Sequence, residues 1–166
     1  MREDDFGIPY NMFGPVPETF FAMVGRVVMV ASLLDLRLLD LLTELEQAPQ
    51  DKHAGRPASG LVMDCRTLLK GYDTPFTESA TRTLDLAKQA LHERNAVVHS
   101  VWPNPSAEGA YGWRPVPKAR RDPPSQPYES IVLDEGMLRK MISRTVAQIH
   151  DVDRLRQCAA AHRIAT

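Results

Sequence analysis

The chain has 166 residues, 43% of them apolar and 25% charged. That is the size of one domain with enough apolar mass for a core without disulfides or metal. Twenty basic residues against twenty-one acidic ones give a formal charge of −1, which excludes a strongly basic nucleic-acid coat over the whole chain but not a local patch. Two cysteines, Cys65 and Cys158, are too few for a disulfide framework and read as reduced thiols. The acidic start Met-Arg-Glu-Asp-Asp does not look like a secretory signal. The longest apolar stretch, Phe20 to Leu42, carries Arg26, Asp35, Arg37 and Asp40, so it reads as a soluble core helix and not a membrane span. A cytoplasmic protein without a membrane partner is expected.

Residues 1–17 hold Gly7, Pro9, Gly14 and Pro15 and predict an irregular arm, with one helical domain over 18–166. A first long helix is predicted from about Glu18 to Gln47, starting after Pro17 and stopped by Pro49. Its main stripe is Phe20, Val24, Val27, Ala31, Leu34, Leu38, Leu41 and Leu45, at helical spacing. Phe21, Val28 and Leu39 form a second apolar edge. A helix apolar on most sides needs more than one neighbour, and a second subunit is one candidate.

A polar loop over 48–57 follows, in which His53 is expected to face solvent. A second helix is predicted from about Ser59 to Lys70, ended by Gly71. A third is predicted from about Thr77 to Val101, with Thr77 as its cap. The segment 102–130 is a proline-rich insertion holding both tryptophans, Trp102 and Trp113, and four cations, Arg114, Lys118, Arg120 and Arg121. Ser130 to Leu133 reads as a short strand. Asp134 then caps a last helix over about Glu135 to Ala161. The expected fold class is all-α, a four-helix up-and-down bundle with the insertion before its last helix.

The third helix breaks its own pattern. Leu84, Ala87, Leu91, Arg94, Val98 and Val101 follow one line at helical spacing, and only Arg94 is charged. An arginine on an apolar line needs a partner or an opening. Asp35, on an apolar flank of the first helix, is the candidate for a supporting ion pair. The other reading is a rigid fork held for an anion such as phosphate, and both can hold at once. His92, Asn95 and His99 gather on the opposite, polar half of the wheel. Asn95 and His99 are an i,i+4 pair. His99 sits near the helix C-terminus, where the dipole favours the protonated ring, a suitable position for proton transfer. The run His92-Glu93-Arg94-Asn95-Ala96 starts like a zinc-protease motif, but Ala96 stands where the second histidine belongs, so no metal and no cofactor are expected.

Glu93-Arg94-Asn95-Ala96-Val97-Val98-His99-Ser100 resembles the signature of the HEPN superfamily, an arginine commonly followed by asparagine and then, four to six residues on, by histidine near the end of a bundle helix. The four-helix outline resembles that family over most of the chain, the insertion excepted. The resemblance implies a HEPN-like bundle and a metal-independent endoribonuclease of the kind used as toxins or in phage defence. It implies a homodimer in which both copies of Arg94, Asn95 and His99 line one cleft as catalytic residues. Other members of the family are non-catalytic modules that bind RNA, a nucleotide or a protein. One toxin subgroup, paired with a nucleotidyltransferase antitoxin, carries a tyrosine two residues after the histidine, where this chain has Val101. Arg114, Lys118, Arg120, Arg121 and Trp113, with Tyr111, are expected to hold RNA by charge and stacking. Asp35 and His92 are expected to support the site.

Overall fold

The computed structural model describes residues 3–9, 17–72, 74–103, 109–116 and 127–164. Among these residues the chain is mostly helical, with four α-helices and one two-stranded sheet. The helices are α1 (Glu18–Glu46), α2 (Ala58–Leu69), α3 (Thr74–Val98) and α4 (Glu135–Ile164). A short 3-10 turn, Gln50–His53, follows α1. Strands β1 (Ala110–Pro115) and β2 (Tyr128–Leu133) pair antiparallel, from Ala110 opposite Leu133 to Pro115 opposite Tyr128. The described residues are thus mostly helical, as expected, and the insertion, in which only Ser130 to Leu133 reads as a strand from sequence, contains a two-stranded hairpin.

Two compact units divide the chain, Met29–Glu93 with Ile142–Thr166, and Met1–Val28 with Arg94–Met141. The first unit holds the larger core. Leu34, Leu38, Leu41 and Leu42 of α1 pack with Leu61, Val62, Cys65 and Leu69 of α2. Leu84, Ala87 and Leu91 of α3 and Ile149, Val152 and Leu155 of α4 complete it. Each set recurs at three- and four-residue steps, so each helix turns one apolar stripe inward. Truncating one of the fully buried leucines should cost about 2–5 kcal/mol. On the outside, Arg66 pairs with Asp85, and Arg144 lies 3.0 Å from Glu93. Exposed pairs of this kind add about 0–1 kcal/mol each.

Two local expectations are corrected within this unit. His53 is buried rather than solvent-facing, because its Nε2 meets the Glu46 carboxylate at the end of α1. Lys52 meets the same carboxylate, and the two contacts hold Glu46 below the usual carboxylate range. Thr77 is not a cap: α3 begins at Thr74, and the Thr77 hydroxyl donates to the Leu69 carbonyl at 2.9 Å, tying α3 to the end of α2. Gly71 does follow α2, whose last residue is Leu69.

The main stripe of α1 is inward-facing, with Val27, Ala31, Leu34, Leu38, Leu41 and Leu45 buried. The outer side is open. Phe21, Val28, Met29, Leu33 and Leu36 are all exposed. By length and composition alone α1 is apolar enough to cross a membrane, with a mean hydropathy of 1.7 over its best 18-residue window, of which only 22% is buried. The same composition belongs to a core helix with one uncovered face.

The second unit comprises the start of α1, the end of α3, the hairpin and the start of α4. Its buried side chains include Met23, Val27, Val97, Ala110, Leu133 and Leu138. Asp134 caps α4 as expected, its Oδ1 accepting from the Met137 amide at 2.6 Å.

The two thiols differ sharply. Cys65 is fully buried and its Sγ faces the Leu38 carbonyl at 3.9 Å, whereas Cys158 is exposed. Burial pushes the Cys65 thiol up to about 12. Native protein should therefore titrate one thiol with a disulfide reagent, and denatured protein two. Because the unfolded thiol ionises near 9.0 and the folded one does not, stability should fall as pH rises from about 9 toward 12. A Cys65→Ser variant whose stability falls as steeply over that range would overturn this assignment.

Candidate functional site

The site is built on the last turns of α3 and the segment that follows. Helix ends leave carbonyls without intrahelical partners. Here the Ser100 hydroxyl donates to the Ala96 carbonyl at 2.5 Å, and the Trp102 indole Nε1 donates to the Val97 carbonyl at 2.9 Å. The His99 amide closes the final helical bond, to the Asn95 carbonyl at 3.0 Å. The turn that carries His99 is thus tied down from both sides.

The chain then joins the hairpin. The Val101 amide donates to the Trp113 carbonyl at 2.9 Å, and the Trp113 amide donates back to Val101 at 3.2 Å. This two-bond bridge puts the backbone two residues past His99 beside the middle of β1. The Trp102 ring lies against the backbone of Gly112: a β-carbon there would stand 2.5 Å from two of its ring atoms. Phe20 meets the same indole edge-on, with ring centroids 6.0 Å apart. Glycine at 112 is therefore required by close approach and not by backbone angle.

Within this frame His99 and His92 are exposed, while Arg94 and Asn95 are half-buried. Arg94 lies on the apolar side of the wheel, as its spacing requires, although Val98 and Leu86 on that side are themselves exposed. The buried line on α3 is Ala80, Leu84, Ala87, Ala90, Leu91 and Val97. By angle Arg94 falls between Ala87 and Ala90 of that line, half-buried and with its Nε enclosed. Asp35 is half-buried on α1 and belongs to the other compact unit.

The cations of the insertion separate into two groups. Arg114 is not a free grip for RNA. Its guanidinium reaches across the hairpin to Glu129, at 3.2 Å from Nη2 to Oε1, and its side chain is 14% exposed. Strand register explains this, since Arg114 and Glu129 face one another directly. Lys118, Arg120 and Arg121 lie outside the described residues. Trp113 is on the opposite side of the strand from Arg114, exposed.

Among the described residues, no three His, Cys, Asp or Glu side chains come together as a metal site. A pocket lined by Thr19, Phe20, Met23, Gly109, Leu133, Glu135 and Leu138 contains none of the motif residues. Sequence reasoning missed the functional weight of Gly112 and Trp102. The available signal was Tyr111-Gly112-Trp113, an alternation of large and absent side chains that suits a strand passing over an aromatic ring. No family model, no curated protein and no solved structure matches the chain.

Gly112→Ala should destabilise the protein by about 1–3 kcal/mol, the usual cost of forcing an extra carbon into a filled space. Gly25→Ala is the control. Nothing lies within 4 Å of its β-carbon, so it should be neutral or stabilise α1 by about 0.5–1 kcal/mol. Thermal melts of the two variants check the pair, and equal melting temperatures would refute the close-approach reading.

Proposed function

We propose that the protein is a metal-independent endoribonuclease of the HEPN type, cytoplasmic and dimeric, that leaves 2′,3′-cyclic phosphate and 5′-hydroxyl ends. The observation that carries the reading is the placement of Arg94 and Asn95 on the last turns of a long helix and of His99 directly after its end, with the histidine exposed and its turn held by Ser100 and Trp102. Cleavage of this kind needs three things at one phosphate: a base, an acid and a cation. His99 of one protomer takes the proton from the 2′-hydroxyl. The 2′-oxygen attacks phosphorus, and the bond to the 5′-oxygen breaks. His99 of the second protomer gives that leaving oxygen its proton. Arg94 neutralises the charge gathering on the phosphate oxygens. Asn95, one turn before His99, orients the ring or bonds the phosphate.

The open face of α1 supports the dimer. Five large apolar side chains exposed on one helix are more than scattered surface residues, and a second subunit is the cover that the composite site also needs. An antitoxin or nucleotidyltransferase partner belongs to the same reading as a means of holding such an enzyme in check.

His99→Ala should abolish cleavage, a loss of at least 10²–10⁴-fold for a general acid or base, while the fold melts as before because the ring is exposed. Arg94→Ala should abolish cleavage as well. Activity should survive EDTA and end-group analysis should find cyclic phosphate. Sedimentation at micromolar concentration should show a dimer. Protein that binds RNA equally with and without His99 and never cuts it would establish the non-catalytic module in place of the nuclease.

A further inference from the structure

The hairpin has two unlike faces. Ala110, Gly112 and Arg114 alternate with Tyr111, Trp113 and Pro115 along β1, and Leu133, Ile131 and Glu129 alternate with Val132, Ser130 and Tyr128 along β2. The first face is buried at Ala110, Gly112 and Leu133 and is closed at its far end by the Arg114–Glu129 pair. The second face carries no charge at all. Tyr111, Trp113, Tyr128 and Val132 stand on it, all at least 40% exposed. Among the described residues, three of the five exposed aromatic side chains are on this one small surface, and none of the three rings stacks on another.

The geometry points to a base-stacking platform for single-stranded RNA on this face, next to the His99 turn; the assignment rests on the nuclease reading for its choice of ligand. Three observations favour a nucleic-acid strand over a second protein surface. The first is ring spacing. Tyr111 and Trp113 are two residues apart on one face, about 6.8 Å along the strand, and the Tyr111 hydroxyl is held by Ser130 at 2.9 Å, so the rings are offered as separate faces and not as a stacked pair. The second is charge. The residues joining β1 to β2 carry Lys118, Arg120 and Arg121 against one acid, Asp122, a local excess of cations in the sequence of an otherwise neutral chain that suits an anionic ligand. The third is the tie to the motif. Trp113 is hydrogen-bonded by its own backbone to Val101, two residues past His99. A base resting on Trp113 therefore belongs to a nucleotide close to one whose phosphate His99 can reach. Stacking also demands unpaired bases, so the platform selects single strands over duplex.

The test uses the full chain in a His99→Ala background, where RNA stays intact, with a fluorescent ten-residue oligouridine and a duplex RNA as probes. Trp113→Ala and Tyr128→Ala should each weaken oligouridine binding by about 5- to 100-fold at every salt concentration, with the salt slope unchanged, because stacking releases no counterions. Trp113→Phe should restore most of the loss, and duplex binding should barely move. RNA should also quench the tryptophan emission of the parent but not of the Trp113→Phe variant, which retains Trp102 as its only indole. Circular dichroism and melting temperature confirm that the variants fold, as side chains this exposed allow. Unchanged oligouridine affinity in the ring variants overturns the platform, and so does an equal loss on duplex. A change in sedimentation with RNA affinity untouched overturns it in favour of a protein contact. The nuclease reading fails separately: a protein with His99 intact that binds oligouridine through its rings yet leaves it uncut keeps the platform and loses the enzyme. One that cuts RNA at the same rate with and without the rings keeps the enzyme and loses the platform.

Discussion

An indole ring occupies the space that a side chain on residue 112 would need, and the end of α3 depends on that contact. Trp102 donates to the Val97 carbonyl, lies against Gly112 and takes Phe20 on its edge. One side chain thereby joins three parts of the second unit: the helix that carries the motif, the hairpin, and the start of α1. The Val101–Trp113 bridge adds two backbone hydrogen bonds to the same junction. Such a junction is what the proposed proton-transfer role of His99 would require. The last turn of an isolated helix frays, and a ring that wanders by an ångström loses much of its catalytic value. Here the fraying end is held by its own neighbours, so His99 is exposed without being loose.

The helices were legible because their apolar residues recur every three or four positions over long runs. The boundaries of α1, α2 and the start of α4 fall within a residue of those expected, with Pro17, Pro49, Gly71 and Asp134 as the signals. The start of α3 was misplaced because Thr77 has the chemistry of a cap but gives its hydroxyl to the end of α2. The hairpin was half-read. Ser130 to Leu133 alternates like a strand, whereas β1 is hidden by prolines and by Gly112, residues that ordinarily argue against one. A strand that must pass over an indole needs the missing side chain, so the signal against a strand was itself the tertiary contact. His53 was misplaced for a similar reason. A histidine in a polar loop reads as solvated unless a carboxylate elsewhere in the chain meets it, and here Glu46, seven residues earlier, does.

The candidate site was legible as composition and only partly as geometry. Arg94, Asn95 and His99 stand on one helix end, which spacing alone requires. Arg94 is half-buried among Ala87, Ala90 and Leu91, but helical-wheel arithmetic treats every apolar residue as buried, and Val98 and Leu86 are not. Arg114 was grouped with Lys118, Arg120 and Arg121 by nearness in the chain. Strand pairing separates it, since a residue on β1 is decided by what stands opposite on β2, and that is Glu129. The division of the hairpin into a closed charged face and an open aromatic one could not be seen before its register was known.

A nearly neutral chain that handles RNA faces a physical difficulty, because most of the affinity of nucleic-acid-binding proteins comes from phosphate neutralisation. Two features of this protein lessen the need. Stacking on aromatic faces contributes without charge and is tolerant of sequence. The proposed twofold dimer would double whatever each chain presents, so three local cations and three exposed rings would become six of each, while the net charge of the assembly would remain close to zero. The cost of such a design is weak long-range attraction, and therefore slow capture of arbitrary RNA. For an enzyme of the proposed kind, weak general attraction and short-range, single-strand-dependent contact are compatible demands, and the proposed platform beside the His99 turn would meet both.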